Sequence, residues 1–203
     1  MSTPTSPLDR RTFIQGAGTL AAASLTAAPS LAAAQESAAG DAELRVALIG
    51  CGGRGTGACR QALNTGNTRL VAMADAFPDR MEESLSSITA AHPEAVDVPN
   101  ERKFVGFDAF KKAIDEDVDV VILTTPPGFR PEHFDYAVSK GKHIFMEKPG
   151  AVDPVGIRSL MASADIADQK GLSIVVGTQQ RWQPQYQELM QRIHDGELGE
   201  VVG

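Results

Sequence analysis

A chain of 203 residues with a formal net charge of −7 has room for one ordinary domain and little beyond it. The acidity, with no basic run, argues against phosphate backbones and anionic lipid surfaces, so no nucleic-acid role is expected. Two cysteines, Cys51 and Cys59, have neither the spacing of a paired metal site nor the number of a disulfide scaffold, so small buried side chains and no metal are expected.

The N-terminus reads as an address. Arg10 and Arg11 precede Phe13 and Ile14, and a weakly apolar, Ala-rich run without charge follows to Ala34. Ala32, Ala33 and Ala34 are the small residues a signal peptidase accepts, so 1–34 resembles a twin-arginine export signal with Gln35 as the new N-terminus. An ordinary N-terminal tail and a membrane anchor are the alternatives. Against the anchor, Ala, Ser, Thr and Gly partition weakly into lipid. Cleavage removes one acid, Asp9, and the two arginines, moving the net charge from −7 to −8. A periplasmic or exported location follows from this reading, with the twin-arginine translocase as a partner. Residues 35–43, opening "QESAAGD", read by composition as a linker.

From Leu44 short apolar runs alternate with helical patterns. The runs are "LRVALIG", "TRLVAMAD", "RKFVGF", "VDVVILTT", "KHIFMEK" and "LSIVVGT", and their lack of strict alternation suits strands buried on both faces. Helices are expected at Pro78 to Ala91 and at Ala109 to Asp115, the latter with Asp108 as N-cap. Two more run from Pro131 to Lys140 and from Asp153 to Lys170, closed by Gly141 and Gly171. Six strands with such helices between them predict an α/β fold, a doubly wound parallel Rossmann sheet in the order 3-2-1-4-5-6 over 44–183. A last helical pattern, Pro184 to His194, leads to Val201 and Val202, which read as another strand beginning. Residues 184–203 are therefore expected to connect to a further domain that the chain cuts short, with a frayed C-terminus of a complete protein as the alternative.

Gly50-Cys51-Gly52-Gly53-Arg54-Gly55 satisfies G-x-G-x-x-G between an expected strand and an expected helix, the context that gives the string its mechanics. Gly50 permits the turn, Gly52 leaves room for a pyrophosphate, and Gly55 lets helix and strand approach. The helix N-terminus then faces the phosphates. Asp75 ends the second strand, where a carboxylate accepts the hydroxyls of an adenosine ribose and repels a 2′-phosphate. That favours NAD over NADP; Arg80 is placed to pair with a 2′-phosphate instead, and an N-cap is the plain alternative for Asp75. The fourth strand runs into Thr124-Thr125-Pro126-Pro127, with His133 on the next helix. The fifth ends in Glu147-Lys148-Pro149, where Lys148 is either half of a surface ion pair with Glu147 or a lysine near the nicotinamide moving a proton.

Taken together, "VALIGCGGRG", Asp75, "LTTPPGFRPEH", "GKHIFMEKPGAVD" and "VVGTQQRWQP" resemble the glucose–fructose oxidoreductase / inositol dehydrogenase / rhizopine-catabolism family from Leu44 to Gly203. The resemblance implies a catalytic or substrate-orienting role for Lys148 and a cofactor groove lined by Thr125 and Pro126. His133 matches a recurrent, structural His. It also implies that the family's second α/β domain, with an Asp and a His of the catalytic group, is essentially missing here, so the fragment alone is expected to be inactive. Arg181 and Trp182 are candidates for the edge of a sugar pocket, with a core or surface role as the alternative for Trp182, and a homo-oligomer is expected of the full-length protein.

The leading expectation is an exported NAD(P)-dependent oxidoreductase acting on a small sugar-like substrate: a sugar, sugar acid or cyclitol. One alternative is the family's NAD-dependent glycosidase branch, which tends to carry G-x-G-x-R-G, as Arg54 does here, but usually departs from E-K-P at the lysine. Another is a non-catalytic nucleotide-binding module.

Overall fold

The apolar runs become strands, and those at the centre of the sheet bury both of their faces. The computed structural model describes residues 42–200; the export signal expected over 1–34 and the strand expected at Val201 and Val202 lie outside the described residues. Within them run β1 (Leu44–Ile49), β2 (Thr68–Asp75), β3 (Lys103–Val105), β4 (Val120–Leu123), β5 (His143–Met146) and β6 (Ile174–Val176). All pair in parallel in the order β3-β2-β1-β4-β5-β6, the order expected of the doubly wound sheet.

Helices cover both faces. Along β1, Val46 and Leu48 join Cys59 and Leu63 of α1 (Gly53–Leu63) and Met81 and Ile88 of α2 (Pro78–Ala91). Ala47 and Ile49 point the other way, into a cluster with Phe110 and Ile114 of α3 (Ala109–Asp115), Phe134 and Val138 of α4 (Arg130–Ser139), and Leu160 of α5 (Pro154–Gln169). Fully burying a side chain the size of Phe134 or Leu48 stabilises the fold by about 1.5–3 kcal/mol. Cys51 and Cys59 are both free and buried, and burial pushes the Cys59 thiol up to about 12. They are packing groups, as expected.

The helix ends separate two acids that look alike in sequence. Asp153 has extended backbone, and its carboxylate accepts the Gly156 N–H at 2.7 Å, capping α5. Such a cap is worth about 1 kcal/mol. Asp108 precedes α3 but does not cap it with its side chain: at φ −91° and ψ 3° its backbone already turns, and its carboxylate takes the Lys111 ammonium at 2.7 Å. Gly141 and Gly171 follow α4 and α5 at φ +71° and +67°, the closures expected of them. After β6 come a short helix, α6 (Gln179–Trp182), and α7 (Pro184–His194). No helix among the described residues is long and apolar enough to cross a membrane.

Candidate active site

β1 and β4 are neighbours, and their onward connections leave to opposite faces of the sheet, so a crevice opens at the carboxyl ends of the strands. It forms a cavity of about 720 Å³. Gly50, Gly52 and Arg54 line it from the first turn, Asp75 and Arg80 from β2 and α2, Thr125, Pro126 and His133 from the fourth, and Glu147 and Lys148 from the fifth. Residues expected at four strand ends thus share one groove.

The glycine turn is built by steric exclusion. Gly50 stands at φ +93°, and a Cβ there would come 2.6 Å from the Thr125 nitrogen. A Cβ on Gly55 would lie 1.9 Å from the Gly50 carbonyl oxygen, so only glycine lets α1 pack against the end of β1. By contrast, Cβ atoms on Gly52 and Gly53 would meet nothing within 4 Å. Gly52 stands at the N-cap of α1 with no side-chain cap and no acid in the first turn, so the helix's first N–H groups are free to take an anion.

Asp75 is held rigidly at the floor. Its Oδ2 accepts the Cys51 N–H at 2.6 Å and its Oδ1 the Phe77 N–H at 2.9 Å. The N-cap position of α2 belongs to Phe77, not to Asp75. Arg80 lines the same mouth and is exposed. Around it Phe107, 73 % exposed, and Phe129 form an aromatic pair with centroids 6.0 Å apart.

The ion pair considered for Glu147 and Lys148 does not form. Glu147 is 4 % exposed and pairs instead with Arg54, whose Nε and Nη2 donate to Oε1 at 2.7 and 2.6 Å. Gly177 makes room for it: a Cβ there would fall 2.4 Å from the same oxygen. Lys148 lines the groove as an exposed ammonium, and among the described residues it has no hydrogen-bonding or ionic partner. Its bond to Pro149 is cis.

His133 is 5 % exposed, stacked on Phe110 at 4.0 Å between centroids, with Nδ1 3.1 Å from the Thr125 hydroxyl. Burial, helped by the charges of Arg130 and Lys111, lowers its pKa from 6.5 to about 4. It is neutral at ordinary pH, which suits a structural part. The unfolded chain therefore takes up a proton first as pH falls below about 6.5, and stability declines from there until the folded ring protonates near 4. The slope is at most about 1.4 kcal/mol per pH unit. Thermal midpoints measured across this window should fall in the parent and fall much less in His133→Gln; an equally steep fall in the variant would assign the effect to other groups.

Arg181 and Trp182 lie on α6 but do not line the cavity; Gln179, the first residue of that helix, does. Trp182 is 64 % exposed, and His194 at the end of α7 is exposed as expected. Among the described residues no group of three His, Cys, Asp or Glu gathers to hold a metal.

Sequence reasoning missed the Arg54–Glu147 pair, the rim phenylalanines and Arg130. Arg130 opens α4 in "GFRPEH" and is 3 % exposed. Its Nη1 donates to the Glu147 carbonyl at 2.6 Å and to the Pro149 carbonyl, and its Nη2 to the Thr125 carbonyl. Two of these acceptors lie 17 and 19 residues away, so no local pattern marks them.

Comparison with known proteins agrees with this fold. The model of an oxidoreductase family with an NAD-binding Rossmann fold matches residues 44–178. The inositol 2-dehydrogenase of Rhizobium meliloti is 30 % identical over 158 residues, which cover 78 % of this chain and 43 % of that protein. A glycosyl hydrolase family 109 protein of Bacteroides fragilis is 32 % identical over 111 residues, or 54 % of this chain and 23 % of its own length. The crystal structure of myo-inositol 2-dehydrogenase from Lactobacillus plantarum shares the fold, with a TM-score of 0.63 at 23 % identity over 79 % of this chain and 43 % of that one. This chain spans less than half the length of these relatives.

Proposed function

The chain belongs to the oxidoreductase family of glucose–fructose oxidoreductase and inositol dehydrogenase, with its NAD-binding Rossmann fold, and from that premise we propose that it holds NAD(P) for oxidation or reduction at a hydroxyl-bearing carbon of a sugar, sugar acid or cyclitol. The observation that carries the reading is one groove lined by the glycine turn, Asp75 and Lys148 together. Bound NAD would supply the hydride acceptor or donor.

The residues present fit such a group. The open face of Gly52 and the uncapped start of α1 take the pyrophosphate. Asp75, its carboxylate fixed by two main-chain N–H groups, accepts the hydroxyls of the adenosine ribose, which favours NAD over NADP; Arg80 is the residue that would admit a 2′-phosphate. Thr125 and Pro126 wall the groove, and His133 holds the Thr125 hydroxyl without carrying charge. Lys148, which has no carboxylate partner among the described residues, moves the proton at the substrate oxygen. The inositol dehydrogenase relative supports a cyclitol or sugar as substrate.

A second reading draws on Arg54 in the glycine turn and on the glycosyl hydrolase family 109 relative. It makes the protein an NAD-dependent glycosidase, in which oxidation, elimination and re-reduction leave no net redox change. Release of an aryl leaving group without NADH accumulating would favour it over the dehydrogenase.

Export through the twin-arginine route belongs to the same proposal. That route carries folded cargo, so the protein would leave the cytoplasm with its dinucleotide bound and restore it in place with a second substrate. Denaturing protein purified without added cofactor, and weighing what is released, tests the proposal. Stoichiometric NAD or NADP supports a loaded enzyme and settles Asp75 against Arg80; an empty protein that also fails to take up either dinucleotide would sink it. Replacing Arg10 and Arg11 by lysine should hold the protein in the cytoplasm, read by cell fractionation; unchanged export would remove the twin-arginine signal.

A further inference from the structure

The ladder between β4 and β5 ends at Leu123 and Met146, and its last backbone bond runs from the Glu147 N–H to the Leu123 carbonyl at 3.0 Å. Beyond it the two chains diverge: one leads to Thr125 and Pro126, the other to Lys148. No strand pairing ties them where they wall the groove. Arg130 takes over that task.

We propose that Arg130 is the positioning residue for Lys148, its guanidinium fixing the main chain on both sides of the lysine and tying it to the Thr125 carbonyl. The acceptors are the carbonyls of Glu147 and Pro149, which bracket Lys148 in sequence, and that of Thr125 on the opposite wall. A planar guanidinium presents its donors in a fixed fork, so one side chain sets the relative place of three carbonyls. Its mount is rigid. Arg130 opens α4, whose Phe134, Ala137 and Val138 are sunk in the core.

The energetics point the same way. Arg130 is 3 % exposed, makes no salt bridge among the described residues, and leaves its Nε without a partner. Its guanidinium donates to carbonyls and to no carboxylate, the nearby Glu147 charge offsets only part of its desolvation, and a buried N–H without an acceptor adds to the cost. A residue serving only to anchor a helix start has cheaper solutions, since neutral side chains fill such positions without desolvating a charge. What a neutral residue does not supply is a fork that reaches both walls of the groove. The role is distinct from that of Lys148, because Arg130 acts through the main chain.

The inference rests on the reading that a dinucleotide occupies the groove, and the test separates the two. The purified chain and its Arg130→Met variant are titrated with NAD+, and lysine reactivity is read by acetic anhydride labelling and peptide mass spectrometry, with the exposed Lys112 as internal standard. In the parent, NAD+ should slow labelling of Lys148 by about 5-fold or more. In Arg130→Met the affinity should stay within about 3-fold, because the glycine turn and Asp75 are untouched, while protection of Lys148 falls below about 2-fold. Without NAD+ the variant should still change the Lys148 rate by about 3-fold against Lys112, because the main chain on either side of the lysine is no longer fixed. Affinity and labelling both unchanged would overturn the assignment. So would affinity and protection lost in step with a lowered thermal midpoint, which describes a general structural role. A parent that binds no NAD+ would sink the dinucleotide reading alone, and the labelling ratio without NAD+ then decides the positioning role. Should Arg130→Met not fold, Arg130→Lys takes its place: it keeps the charge, but its single ammonium does not span three carbonyls.

Discussion

Lys148→Ala in the whole enzyme is expected to bind dinucleotide as the parent does and to turn over roughly 10²-fold more slowly, the usual contribution of general acid–base catalysis. The expectation follows from where the lysine stands. It lines the groove, is exposed, and among the described residues has no ionic partner to lose. Removing it leaves no buried charge behind, so the fold should not register the change. Steady-state kinetics beside a binding titration check this. The outcome that counts is a drop in kcat and kcat/KM together, with the dissociation constant of the dinucleotide held; unchanged turnover would take Lys148 out of the mechanism. The buried neighbour Glu147 should behave in the opposite way, because its loss strips the Arg54 guanidinium of its partner and reaches stability first.

Gly55→Ala is expected to cost about 3 kcal/mol or more of stability and to weaken dinucleotide binding by about 10²-fold. The new Cβ would sit 1.9 Å from the Gly50 carbonyl oxygen and 2.6 Å from the Thr124 hydroxyl. Neither neighbour is free to retreat. The Gly50 N–H is bonded to the Ala74 carbonyl at 2.9 Å, and the Thr124 hydroxyl donates to the Gly50 carbonyl at 2.6 Å, so the clash is fed into the sheet itself. Gly52→Ala is the informative control. Its Cβ would meet nothing within 4 Å, so the thermal midpoint should hold while the methyl group obstructs the pyrophosphate. Thermal denaturation and NAD titration of the two variants separate packing from ligand approach. A Gly55→Ala chain with parental midpoint and affinity would mean that α1 and β1 do not approach as described.

How far the sequence could be read depended on the range of the forces involved. The expected helices at Pro78 to Ala91, Ala109 to Asp115 and Pro184 to His194 coincide with α2, α3 and α7, because prolines, caps and periodicity act within a few residues. The third strand was read too long. "RKFVGF" contracts to Lys103–Val105, since Gly106 turns at φ +116° and a strand paired only with β2 has nothing further to hold it. Asp108 is the acid expected to cap and Asp153 the one expected to open its helix, yet Asp153 caps α5 with its carboxylate and Asp108 makes no side-chain cap, a difference set by the backbone angles around each.

The sequence by itself determined the strand order, the glycine turn and the set of strand ends that meet, because G-x-G-x-x-G between strand and helix dictates both topology and the place of the crevice. It placed Asp75, Thr125 and Lys148 at those ends. Only the tertiary structure decided which charges pair and which stay free. Arg54 meets Glu147 across 93 residues, Arg130 reaches carbonyls on two different loops, and among the described residues Lys148 has no partner. The physical reason is burial. A charge withdrawn from water must be met by whatever the fold brings within hydrogen-bond reach, and that neighbourhood is set by the packing of α4 and the closing of the sheet, not by spacing along the chain.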